Sequence, residues 1–167
     1  MVCCSSATAV SWEDRGMELR SVEELMDLLY ACRGERPANG AAGGPVGGPG
    51  DPHGHALRTA ALLRRRRPAD KELQVAGLVS PVGRLLWPGS PAARTAAAVG
   101  PLLGARVTRL VRRQAHPEAW DHDDDLVSLR QAEEEARTAV FDAGVLEDWR
   151  TVLELTAARN SRLGAVD

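Results

Sequence analysis

The chain reads as a single all-α domain, a bundle of six to seven helices. Apolar residues recur at helical spacing in one segment after another, and no stretch alternates like a strand. Hydrophobic residues make up 44% of the chain but aromatics only 4%, so the core material is mostly Ala, Leu and Val. That balance suits closely packed helices better than a β-sandwich. At 167 residues the chain is long enough for one domain with a real core and too short for two ordinary ones.

Each element has a local justification. Residues 1–17 read as a flexible N-terminal tail, residues 18–163 as the helical domain and residues 164–167 as a C-terminal tail. Ser21-Val22-Glu23-Glu24 is a capping box, and Val22, Leu25, Met26 and Leu29 carry the first helix to about Arg33. The stretch GERPANGAAGGPVGGPG (34–50) holds seven Gly and three Pro and predicts a loop. Closing it costs roughly 2.5 kcal/mol, which a globular domain tolerates. Asp51-Pro52 supplies an N-cap and an N1 proline for a helix that runs into Arg64–Arg67 and stops at Pro68. Four consecutive arginines complement the negative end of a helix dipole, and no aromatic platform or second basic cluster makes them a nucleic-acid patch.

Asp70 caps the next helix, which ends before Pro88 and carries Pro81 inside it. A proline there removes one N–H and crowds the Gly77 carbonyl, so a kink or interruption is expected between Gly77 and Gly83. Pro91 to Leu102 is an Ala-rich helix broken at Gly104. Val107, Leu110 and Val111 form an apolar stripe, with Arg106, Arg109 and Arg113 on another face. Asp121 to Asp125 are favourable at a helix N-terminus. Leu126, Leu129, Ala132, Ala136 and Val140 carry that helix onward until Gly144. Leu146, Trp149, Val152 and Leu153 build the last one.

Bulk properties exclude several classes. A net charge of -2 provides no global field for nucleic acid or anionic membrane. No run reaches the roughly 18 consecutive apolar residues of a membrane span. Cys3, Cys4 and Cys32 form neither a disulfide framework nor a metal knuckle, and the N-terminus lacks the layout of a secretory signal, so a cytoplasmic setting is expected. Gly43-Gly44 and Gly47-Gly48 follow no strand and are not a phosphate loop.

The segments "HALRTAALL" (55–63), "PADKELQVAGLVSPVGRLL" (68–86) and "PLLGARVTRLVRRQA" (101–115) resemble, in order and spacing, the HD-domain superfamily. They look closest to its small diiron oxygenases that cleave organophosphonates. The resemblance implies a single HD-like bundle with a dinuclear metal centre. In that family, the segment matching "GLVSPVG" carries His-Asp where this chain has Ser80-Pro81. His55 matches the first metal-binding His. The other positions fall near Ser90 to Ala92, on Gln114 and near Ala157, and Glu118 stands where the family has a positive charge. A divalent metal wants imidazole and carboxylate ligands; serine is a poor ligand and proline offers none.

No bound metal and no cofactor are therefore expected. His53, His55, His116 and His122 with Asp121 and Asp123 to Asp125 are suitable donor types for a rebuilt site, but they are scattered with no i, i+4 pair. Their plainer reading is an exposed His53 at a helix start and a solvated acidic N-cap. His55 is the candidate catalytic residue, an acid or base tuned near neutral pH, and its plainer reading is a hydrogen-bonded relic. Ser80 and Gln114 are the candidate pocket residues beside it. Trp87, Trp120 and Trp149 are expected in the core or a pocket wall.

The leading expectation is a degenerate, metal-free HD-domain protein that binds a small organic molecule or a protein partner, but not nucleic acid or membrane. Alternatives are a metal-independent isomerase, lyase or cyclase reusing the pocket, and an oxygenase or phosphohydrolase with a rearranged ligand set.

Overall fold

Helices in this protein begin where the sequence supplies a capping oxygen. The Ser21 hydroxyl accepts the Glu24 N–H at 3.2 Å and opens α1 (Val22–Ala31). The Glu24 carboxylate reaches back to the Arg20 N–H at 2.7 Å. Asp51 accepts the His53 and Gly54 amides and opens α2 (Pro52–Arg66), with Pro52 at its first position. Asp70 accepts the Leu73 amide and opens α3 (Lys71–Leu86). Each of these carboxylates also meets the positive end of the helix dipole.

The computed structural model describes residues 17–35, 51–87 and 89–165. The expected tail through residue 16, Cys3 and Cys4, most of the Gly/Pro stretch, Pro88 and residues 166–167 lie outside them. The remaining helices are α4 (Pro91–Leu103), α5 (Ala105–Arg113), α6 (Asp124–Thr138) and α7 (Arg150–Gly164). Short 3-10 helices at Pro117–His122 and Leu146–Trp149 lead into α6 and α7. The fold is all-α, and no strand occurs among the described residues.

The hairpin α2–α3 is the centre of the bundle; α6 packs on both of its helices, and α4 and α5 pack on α3. Leu63, Leu73, Leu78, Leu110, Leu129 and Trp149 are almost completely buried there. Burying a Leu-sized side chain contributes about 1.5–3 kcal/mol, so this layer dominates the stability. Close approach of helices needs missing side chains. A Cβ on Gly83 would run into the Thr95 hydroxyl and lie 3.2 Å from the Pro91 carbonyl, so α3 can cross the first turn of α4 only with glycine there. Gly104 has φ +93° and ends α4; Asn160 from α7 then donates to the Pro101 and Leu102 carbonyls at 2.9 and 3.3 Å.

Two local expectations are corrected. No interruption occurs at Pro81: α3 runs unbroken from Lys71 to Leu86. Every residue from Leu73 to Gly83 is buried. Packing on all sides outweighs the roughly 3 kcal/mol that an interior proline costs. Val140 does not extend α6, which ends at Thr138 well before Gly144. Val140 is 94% exposed, while its neighbour Phe141 packs against the core.

Candidate functional site

The contacts at Gly77 set the register of three helices. A Cβ there would lie 3.2 Å from Thr59 of α2 and 3.5 Å from Leu129 of α6. One turn away on α2 is His55, one turn away on α6 is Glu133, and Ser80 and Arg84 follow on α3. The three helices thus bring polar residues to one level of the bundle.

Glu133 is the hub of this level and is only 5% exposed. Arg84 donates to both of its carboxylate oxygens at 3.2 and 3.3 Å, and the Gln114 side-chain amide donates to Oε1. Gln114 is the C-cap residue of α5, so its side chain leaves the helix end toward α6. Burial pushes the Glu133 carboxyl above its ordinary range, against the pull of Arg84 and Gln114. The Ser80 hydroxyl donates to the Ala76 carbonyl at 2.7 Å within its own helix. Arg58, buried in α2, donates through Nε to the Ala136 carbonyl at 3.0 Å.

His55 is 8% exposed, and its Nε2 has no hydrogen-bond partner; neither has Gln114 Oε1. The tuning of His55 near neutral pH is not found. Burial, then the positive charges of Arg84, Arg58 and Arg137, bring its pKa down to about 4, against a weaker opposing pull from the Ala136 backbone. The ring is neutral at pH 7. The structure thus joins Gln114 to Glu133 directly and sets His55 in the field of Arg84, the same cation that pairs with Glu133. Ser80 shares their level, but its hydroxyl is occupied by its own helix.

Glu133 was missed by sequence reasoning, although a signal existed. It lies four residues after Leu129 and seven after Leu126, on the apolar stripe of α6. A carboxylate on that stripe is a buried carboxylate.

The scattered histidines do not assemble. His53 is not exposed: it is 8% exposed, and its Nδ1 donates to the Leu29 carbonyl at 3.1 Å, because α1 packs over the start of α2. His116 and His122 are exposed, and Asp123 caps α6 through the Asp125 and Leu126 amides. Among the described residues no three His, Cys, Asp or Glu side chains are placed to hold a metal ion. The diiron centre that the resemblance implies does not fit this donor set. Pro81 and Ala157 offer no side-chain ligand atom, Ser80 is turned onto its own helix, and Gln114 faces Glu133.

Other candidates have structural duties. Arg64 stacks over Trp149, Arg65 over Phe141, and Arg66 and Arg67 pair with Glu135 and Asp125, so the arginine run is fully engaged. Trp149 is core; Trp87 and Trp120 are half-buried, with Arg130 4.3 Å over the Trp120 ring. Burial pushes the Cys32 thiol up to about 11, which makes it a poor nucleophile.

A cavity of about 480 Å³ lies elsewhere, where Tyr30, Arg33, His53, Arg58 and Phe141 face the 141–147 turn. Size alone favours it as a binding site. Its carboxylates are already engaged, Glu147 by Tyr30 and Arg150, Asp142 by the Gly144 amide, and Asp51 by the α2 cap. The partnerless atoms around Glu133 are the stronger pointer to function. No family model, curated protein or solved structure matches this chain.

Proposed function

We propose that this chain is a metal-independent, HD-like helical domain that binds a small molecule at the level of His55, Gln114 and Glu133. One observation carries the reading. Two polar atoms, His55 Nε2 and Gln114 Oε1, are closed off from solvent without a partner. Such an atom costs about 1–3 kcal/mol, and a bound molecule that pairs with it offsets the cost. The electrostatics favour binding over the alternative of an isomerase, lyase or cyclase. An efficient general base titrates near the working pH, and a ring held at about 4 is a weak one at pH 7.

Two measurements test this. Elemental analysis of protein purified without chelator is expected to give far less than one transition metal per chain. Ligand-detected NMR with a fragment library is expected to find binders that are lost in His55→Phe and in Gln114→Met. One or two bound metals per chain, or binders indifferent to both substitutions, would refute the reading.

A further inference from the structure

The cavity of about 480 Å³ beside the 141–147 turn holds unengaged groups of its own, and His55, Gln114 and Glu133 are not among the residues that line it. Its volume falls within the roughly 300–1,000 Å³ of small-molecule pockets. His53, in the first turn of α2, is 8% exposed and lines this space. Its Nδ1 lies 3.1 Å from the Leu29 carbonyl, which can only accept. The neutral ring therefore carries its proton on Nδ1, and Nε2 keeps a lone pair. Nε2 makes no hydrogen bond among the described residues and, unlike the same atom of His55, is not sealed off. A buried ring thus presents an acceptor of fixed orientation to the cavity.

Charge sorts the rest of the lining. Arg33, exposed just past the end of α1, makes no ion pair and no side-chain hydrogen bond among the described residues. The carboxylates are held by the fold: Glu147 accepts from Tyr30 at 3.0 Å and from Arg150 at 2.9 Å, and Asp142 accepts the Gly144 amide at 2.8 Å. Asp51 accepts the first amides of α2. Deeper in the wall, Arg58 and Asp51 are both buried and opposite in charge, so the interior carries no excess of either sign. A charged group placed there gives up water for no counter-ion, whereas a hydroxyl brings a donor without charge. Leu57, Phe141 and Leu146 supply the apolar side. The planar guanidinium fork matches a carboxylate. We infer that this cavity binds a monocarboxylate with an apolar body and a hydroxyl group, the carboxylate paired with Arg33 at the mouth and the O–H donating to His53 Nε2 inside.

The test uses the whole chain and four probes on one skeleton. They are phenyllactate, phenylpropionate without the hydroxyl, phenylpropanediol without the carboxylate, and phenylalanine with an ammonium in place of the hydroxyl. Each is titrated into labelled protein while NMR follows the His53 ring nitrogens, the Gly144 amide and the Gln114 side chain. Phenyllactate is expected to shift His53 and Gly144, to leave Gln114 unmoved, and to bind about tenfold more tightly than the other probes. Arg33→Met removes no contact of the fold and is expected to erase the advantage over the diol. In His53→Phe the advantage over phenylpropionate should vanish; should that variant fail to fold, Arg33→Met decides alone. An advantage that survives Arg33→Met, or tighter binding of phenylalanine through Asp142, would overturn the ligand class. Shifts confined to Gln114 would move binding to the Glu133 level, and no shift with any probe in folded wild-type protein would remove the site.

Discussion

Two polar clusters share α3, α5 and α6, and they are built on opposite principles. Near the start of α3, Arg106 grips Asp70 with two hydrogen bonds at 2.6 and 2.8 Å and also reaches Glu72 and Asp125. Arg67 joins on Asp125, and Arg109 and Arg113 approach Asp123 at 3.8 and 3.9 Å. These side chains are partly exposed and all find partners. At the level of Glu133 the groups are more deeply buried, yet two atoms go without. The first cluster ties helix ends together; in the second, polarity exceeds what the fold itself uses. A fully paired network needs no explanation beyond stability, whereas an unpaired one asks for a ligand.

pH separates the two clusters most sharply. Unfolded His55 takes up a proton near 6.5 and folded His55 only near 4. Folding stability is therefore intact above 6.5 and falls as the pH drops toward 4, by about 3 kcal/mol over that interval. Glu133 has the opposite sign, since its raised pKa costs stability at neutral pH and the cost fades on acidification. Asp70 is held below its ordinary 3.8 chiefly by the Arg106 hydrogen bonds. For Asp125, burial pushes upward but Arg106 and Arg67 together outweigh it. Their stabilisation persists down to about 3.8 and is lost only below it. Urea denaturation across pH should show two separate declines, and His55→Phe should erase the one between 6.5 and 4. A single decline that the substitution leaves unchanged would break the comparison.

A smaller effect is expected at the other cluster. Arg106→Met leaves Asp70, Glu72 and Asp125 facing one another without their shared cation. About a third of the Arg106 side chain is exposed, so the loss is placed near 2 kcal/mol, below that of a fully buried pair. Raised salt should weaken the difference between wild type and variant, and ligand binding should not change. Loss of fragment binding in Arg106→Met would mean that the two clusters are not independent.

Ser80→Ala should matter least. The hydroxyl bonds only to the Ala76 carbonyl of its own helix, so thermal unfolding should move by no more than about 0.5 kcal/mol. Fragment binding should be untouched. A clear loss of binding would restore Ser80 to the site in which the sequence placed it.

The sequence by itself determined the helices and their ends. Caps are local: Ser21, Asp51, Asp70 and Asp123 act on amides two or three residues away, and Gly104 acts through its own φ. The apolar stripes that bury Leu126, Leu129, Trp149 and Leu153 are likewise written in spacing alone. Tertiary structure decided which polar residues go inside. His53 follows a cap and reads as solvent-facing until α1 covers it, and Arg58 and Glu133 read as ordinary surface charges until α2, α3 and α6 close around them. Pro81 reads as a break until complete burial holds α3 in one piece. Periodicity reports where a side chain points along one helix. Whether another helix arrives there, and with what partner, depends on residues dozens of positions away in the chain.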